Sequence, residues 1–141
     1  MTRVDFYAGS SDPGRTVFSL ALKAVRAGHR VWVLTRDAAH TTETDARLWA
    51  DPPGGFLPHC AADHTLAART PVVVGHDPAA VPHEDILINL RDDTPPCFSR
   101  FNRLLEVVGT ESASVQAARE RYKFYRDRGY PLQHHDLKDR T

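Results

Sequence analysis

The chain has 141 residues, a length that suits one domain with a substantial core, and we expect a single domain over residues 1–141. Its 18 basic residues balance 18 acidic ones. The balance excludes a whole-molecule field that draws the protein to DNA or a membrane, so any attraction to a charged partner must be local.

The first third of the chain predicts a strand, a turn, a helix and a second strand. Val4–Ala8 is apolar and aromatic, the turn sequence GSSDPG follows it, and Pro13 stands where a helix can begin. Apolar residues recur at spacings of three and four through Arg15–Ala27, and Gly28 follows as a helix cap. Arg30–Thr35 is β-branched and aromatic without alternation, which predicts a strand covered on both faces.

The middle of the chain predicts a short helix and three strands. Asp37 or Thr42 opens the helix, and the sequence DPPGG ends it. A brief strand is expected at Phe56–His59. Pro71–Gly75 and Asp85–Leu90 are short apolar runs bounded by turn residues, a pattern typical of strands in a buried sheet.

The C-terminal third predicts a short helix over Pro95–Phe101 and a last strand over Leu104–Gly109. Ser112 or Ser114 is the expected N-cap of a final helix, which Gly129 terminates. Strands that alternate with helices in this way predict an α/β fold with a mainly parallel sheet and right-handed crossovers.

The turn GSSDPG raises the possibility of a phosphate site, because backbone N–H groups at a helix N-terminus attract anions. The turn lacks both the glycine spacing of a dinucleotide-binding loop and the Gly-Lys-Ser/Thr of a P-loop, so a plain strand-to-helix turn is favoured. Asp92 and Asp93 follow a predicted strand, where a solvated turn is the commoner interpretation. A nucleotide-binding α/β enzyme stays open as the alternative.

Histidine and cysteine residues are numerous but poorly spaced for a metal site, and surface histidines are the simpler interpretation. Cys60 and Cys97 form no CxxC arrangement, so two buried free thiols are expected. The residues considered for the metal site are His40, His59, Cys60, Asp63, His64, His76, His83, His134 and His135. We expect no metal, no cofactor and no catalytic site.

The N-terminus has no apolar signal-peptide core, and no apolar run approaches the roughly 20 residues that cross a bilayer. These features predict a cytoplasmic protein without membrane contact.

Residues 118–132, ARERYKFYRDRGYPL, concentrate five cations and four aromatic residues at the end of a neutral chain. On a helix, Arg119, Tyr122, Lys123 and Arg126 share one arc, beside an apolar stripe that can dock on the sheet. Such a surface suits an acidic peptide that ends in an aromatic residue. A solvated helix face with weak surface ion pairs is the competing interpretation, and direct binding of single-stranded DNA is a third.

The sequence contains the stretches FYAG, AGHRVWVL, TDARLWADPPGGFLPH, DILINL, FSRFNRLLEVV and ARERYKFYRDRGYPL. Through them the chain resembles, nearly from end to end, the chi subunit family of bacterial DNA polymerase III holoenzyme. The resemblance implies a Rossmann-like three-layer α/β domain that performs no chemistry and connects proteins during DNA replication. Its contact with DNA would be mainly indirect.

The resemblance also implies two partners and the residues that bind them. The family binds the acidic C-terminal tail of single-stranded-DNA-binding protein and commonly the psi subunit, which links it to the clamp loader. The psi surface would include Trp49, Phe56 and Pro58. The positions that match the family's tail-binding site are Arg119, Tyr122, Lys123 and Arg126 on the helix, and Gly129, Leu132 and His134 after it.

Overall fold

Seven strands form one parallel sheet in the computed structural model, which describes residues 1–50, 57–62, 64 and 70–137. Their order across the sheet is β3-β4-β2-β5-β6-β1-β7, and every neighbouring pair is parallel. The predicted α/β fold with a parallel sheet is therefore confirmed. The strands are β1 (Arg3–Ala8), β2 (Val31–Leu34), β3 (His59–Ala61), β4 (Val72–Gly75), β5 (Ile86–Asn89), β6 (Arg103–Val107) and β7 (Leu132–Asp136).

In the described ranges, three α-helices cover the two faces of this sheet and make it the middle of three layers. The helices α1 (Pro13–Arg26) and α2 (Ala38–Ala50) pack on one face. The helix α3 (Ser112–Asp127) and a 3₁₀ turn at Phe98–Arg100 pack on the other. The turn occupies part of the short helix predicted over residues 95–101.

The central strands are apolar at consecutive positions because each face of the sheet has its own core. In β2, Val31 and Val33 pack under α1 and α2, whereas Trp32 and Leu34 pack on the α3 side. Neighbouring side chains of a strand point to opposite faces, so a strand covered on both sides needs no polar alternation. This explains why the sequence RVWVLT predicts a strand correctly.

The turn GSSDPG joins β1 to α1, as the sequence predicts. Asp12 is the N-cap residue of α1, and its carboxylate accepts a hydrogen bond from the backbone N–H of Arg15 at 3.4 Å. The carboxylate also pairs with Arg47 of α2 at 2.8 Å, and this hydrogen bond lowers the pKa of Asp12. The chain leaves α1 at Gly28, whose φ of 89° is readily adopted by glycine.

The predicted brief strand and the predicted cap of the final helix both differ from the structure. The strand expected at residues 56–59 lies at His59–Ala61, and Phe56 is outside the described residues. The final helix begins at Ser112, so neither predicted serine is its cap. Glu111 is the N-cap residue, and its side chain makes no capping hydrogen bond.

The prediction that the strand ending near Gly109 is the last one is wrong, because β7 follows α3 and pairs in parallel with β1. The sequence LQHHD lacks the apolar run of a buried strand. It forms a strand because its backbone bonds to β1, while only Leu132 and His135 are half-buried. Tertiary pairing therefore decides this element against its local sequence.

His83, in the segment before β5, supports a prediction about the pH dependence of stability. Burial lowers its pKa from the ordinary value of 6.5, and nearby Arg30 acts in the same direction. The unfolded chain therefore binds a proton more readily than the folded protein does. The free energy of unfolding should consequently decrease as the pH falls from about 7 to about 5.

The substitution His83→Asn isolates this contribution. An asparagine oxygen can replace the ring nitrogen that accepts the backbone N–H of Asp85 at 3.1 Å, but it does not titrate. Urea unfolding across this pH range should show a shallower decrease for the variant. Some decrease should remain, because burial also lowers the pKa of His40. Equal slopes for the two proteins would contradict the assignment to His83.

Candidate functional site

A cavity of about 450 Å³ lies between α3 and the end of the sheet formed by β1 and β7. Of the residues predicted to bind a peptide, Arg119, Tyr122 and His134 line it. Arg119 and Tyr122 come from α3, and His134 comes from the edge strand β7. The structure therefore brings residues of α3 together with a residue of β7, the strand that follows the helix after the chain reverses direction.

The apolar wall of the cavity follows from the spacing of residues along α3. Val115, Ala118 and Tyr122 are three and four residues apart, so they lie on one side of the helix and line the cavity together. The Tyr122 ring packs edge-on against Phe6 of β1, with the ring centroids 5.4 Å apart. This contact gives the half-buried tyrosine a fixed place in the wall.

Two basic side chains of α3 have no acidic partner in the described part of the chain. Arg119, at the cavity, and Lys123, one turn later, are exposed and lie more than 4.0 Å from every described carboxylate. Arg126, by contrast, pairs with Asp127 at 3.2 Å. Among the basic residues of α3, Arg119 and Lys123 are therefore the two without a described acidic partner.

Four predicted binding residues do not line the cavity. Lys123 and Arg126 are exposed further along α3. Gly129 ends the helix with a φ of 80°, and Leu132 begins β7 and packs against the core on the α3 side. These residues are therefore not part of the cavity wall.

The cavity also contains a carboxylate of its own, that of Asp136 at the end of β7. The lining is therefore mixed in charge, with Arg119 contributed by the helix and Asp136 by the strand. An anionic ligand is attracted by the Arg119 guanidinium and repelled by the Asp136 carboxylate.

A buried network beneath α3 fixes this helix on the sheet, and sequence reasoning did not find it. Glu106 of β6 is fully buried and accepts hydrogen bonds from Arg121 at 3.1 and 3.2 Å. The Tyr125 hydroxyl donates to the same carboxylate at 2.7 Å, and the Asn89 side-chain amide donates at 2.8 Å. Burial raises the pKa of Glu106, and the Arg121 guanidinium opposes that shift.

The sequence does contain a signal for this network. The run LLEVV, residues 104–108, places an acidic residue at a position of β6 that faces a covered layer. A buried carboxylate requires a cation or several donors, so such a residue predicts a partner on the covering helix. Arg121 is that partner, and it points away from the surface that carries Arg119.

A second cavity, of about 350 Å³, lies beside the turn GSSDPG, where the alternative of nucleotide binding would place its ligand. Two of its arginines are already engaged. Arg47 pairs with Asp12, and Arg121 pairs with Glu106 while donating to the Asp92 carbonyl at 2.7 Å. Within the described ranges, no group of three or more His, Cys, Asp or Glu side chains is arranged to hold a metal ion.

The predicted psi surface is described only in part. Trp49 is 57% exposed at the end of α2, and its ring lies 4.4 Å from that of His59. Pro58 is half-buried, whereas Phe56 lies outside the described residues. The interpretation of all histidines as surface residues is wrong for His59, which is buried with its Nδ1 atom 2.6 Å from the Leu57 carbonyl.

The cysteine prediction is also only partly correct. Both cysteines are free, and Cys97 is buried, but Cys60 is half-buried. Among the helices that the structure describes, none has the length and apolar character needed to cross a membrane.

Comparison with known proteins identifies the family. The family model described as "DNA polymerase III chi subunit, HolC" matches residues 1–133. The chain belongs to this family. The chi subunit of Pseudomonas aeruginosa is 42% identical over 97% of this chain and 98% of its own length. The chi subunit of Escherichia coli is 32% identical over 88% of this chain and 85% of its own.

A solved structure supports the fold alone. The crystal structure of T4 UvsW matches 96% of this chain with a TM-score of 0.64, at 6% sequence identity. The match spans 42% of the UvsW chain. Membership of the chi family assigns the protein to DNA polymerase III and so to DNA replication, as an accessory subunit.

The buried network predicts a large difference between two arginines of the same helix. Arg121→Ala removes the cation of a buried pair and should lower the free energy of unfolding by about 3–5 kcal/mol. Arg119→Ala removes an exposed side chain without an ion pair and should change it by less than about 0.5 kcal/mol. Urea unfolding followed by circular dichroism measures both, and similar losses for the two variants would refute the assigned role of Arg121.

Proposed function

We propose that this chi-family protein is a noncatalytic adaptor that binds the acidic C-terminal tail of single-stranded-DNA-binding protein in the cavity between α3 and β7. The observation that carries the proposal is the uncompensated guanidinium of Arg119 beside the apolar wall formed by Val115, Ala118 and Tyr122. A cavity of about 450 Å³ lies within the range typical of small binding sites, about 300–1,000 Å³.

The two parts of the cavity suit the two chemical features of such a tail. Arg119 binds a carboxylate, either the terminal one or that of an aspartate, through charge-assisted hydrogen bonds. The terminal aromatic ring enters the apolar part beside Tyr122, where ring packing adds to burial. His134, which also lines the cavity, closes it around the peptide.

The remaining predicted residues act around the cavity. Lys123 has no described acidic partner and adds positive potential near Arg119, which speeds encounter with an acidic chain. Arg126 contributes less, because Asp127 already neutralises part of its charge at 3.2 Å. Gly129 and Leu132 set the path of the chain from α3 into β7 and so hold His134 opposite the helix.

Arg119→Ala should weaken the binding of a tail peptide by about 1–3 kcal/mol, because the guanidinium contacts a carboxylate beside an apolar wall. Isothermal titration calorimetry measures the effect. Added salt should weaken wild-type binding more than binding of the variant, since screening reduces the attraction that the variant has lost.

Arg126→Ala is the matched control on the same helix, and its effect should be smaller than that of Arg119→Ala. Equal affinities of wild type and Arg119→Ala would contradict the proposed site. Tight binding of an oligonucleotide in the absence of the tail peptide would instead favour direct recognition of single-stranded DNA.

We further propose that the surface around Trp49 and Pro58 binds the psi subunit and so links the protein to the clamp loader. An exposed tryptophan is typical of a protein interface, where its large ring is buried by the partner. Trp49 lies at the end of α2, which packs beside β3, whereas the tail cavity lies at β7 on the other edge of the sheet. Both partners can therefore bind at the same time.

Trp49→Ala should weaken psi binding by about 2 kcal/mol or more while leaving the affinity for the tail peptide unchanged. Arg119→Ala should show the reverse pattern. Calorimetry with each purified partner tests whether each substitution weakens the binding of one partner only. Full psi binding by Trp49→Ala would remove this residue from the proposed interface.

A further inference from the structure

The outer edge of β7 presents backbone groups beside the cavity. This strand is the last of the sheet, and within the described residues it pairs only with β1. Two flanking hydrogen bonds show which residues of this strand direct their backbone groups toward β1. Val4 N–H donates to the Pro131 carbonyl, and Leu137 N–H donates to the Ala8 carbonyl, each at 2.9 Å.

In a parallel pair, alternate residues of a strand direct both backbone groups toward the same neighbour. Residues 131 and 137 bond to β1, so Gln133 and His135 between them also face β1. Leu132 and His134 then direct their N–H and C=O groups away from the sheet, where no described residue accepts or donates.

The side chains of the same two residues lie on the α3 face of the sheet. His134 lines the cavity, and Leu132 packs against the core beneath α3. Gln133 and His135 point to the other face, where the His135 ring stacks on Tyr7 with the centroids 4.4 Å apart. The outward backbone groups of His134 therefore lie at the cavity, and those of Leu132 lie on the same edge two residues earlier.

We propose that the acidic peptide binds as an added eighth strand, pairing its backbone with the outer edge of β7 and placing its terminal ring in the cavity. This inference rests on the proposed function and specifies how the peptide is held. Two observations select this occupant: the uncompensated charge of Arg119 favours an anionic chain, and the cavity is continuous with the edge through His134.

Strand addition explains how one cavity can hold an extended chain. An added strand lies about 4.8 Å from β7, so its side chains on the α3 face stand next to His134 and can reach the cavity over it. The acidic side chains of the peptide that follow the same face approach Arg119, while the alternate ones point to solvent. Main-chain bonds supply affinity without depending on side-chain sequence, and the cavity selects the terminal ring.

The first test uses the wild-type protein and tail peptides that carry a single N-methyl group at each backbone nitrogen in turn. An N-methyl group removes one donor and leaves every side chain unchanged. Affinity should fall at least about fivefold at alternate positions and stay within about twofold at the positions between them. A uniform or absent effect, with normal binding of the unmodified peptide, would overturn strand addition while leaving the proposed function intact.

The second test is amide hydrogen exchange by nuclear magnetic resonance, with and without the unmodified peptide. In the free protein, Gln133 and His135 should exchange slowly because they bond to β1, and Leu132 and His134 should exchange quickly. The peptide should slow the exchange of His134 at least tenfold. Saturated binding without this protection would refute strand addition, whereas a peptide that fails to bind at all would refute the proposed function first.

Discussion

The placement of α3 depends on a carboxylate that the fold removes from water. Glu106 lies in the middle of the sheet and receives hydrogen bonds from Arg121, Tyr125 and Asn89. Because a buried charge without partners is costly, the two donors from α3, Arg121 and Tyr125, hold the helix at one height and rotation above β6. Arg119 and Tyr122 are on the same turn as Arg121, so the buried pair also fixes the surface that lines the cavity.

The neutral charge of the chain is compatible with binding an acidic peptide because most arginines described near the sheet already form ion pairs with acidic residues. Arg103 pairs with the buried Asp5 of β1, and Arg47 and Arg121 pair with acids far away in the sequence. Arg119 is left without such a partner in the described structure, beside an apolar wall. A local imbalance of this kind supports the proposed anion site, and no sum over the whole chain reveals it.

The order of the strands gives the proposed adaptor two separate ends. The cavity lies at β1 and β7, and Trp49 lies near β3 at the opposite edge of the same sheet. Between them the strands are covered on both faces, so the sheet acts as a rigid spacer. A rigid body with one site at each end connects two partners without requiring a conformational change.

Sequence alone determined the elements whose periodicity is local. The buried strands β2, β4 and β5, the helix α1 and the basic face of α3 follow from apolar runs, spacings of three and four, and turn residues. Tertiary structure alone decided that LQHHD is a strand and that Arg121 belongs to the core, since a backbone edge and a buried carboxylate impose these roles from a distance. It also brought His134 into the same cavity as Arg119, because only the return of the chain after Gly129 places the strand beside the helix.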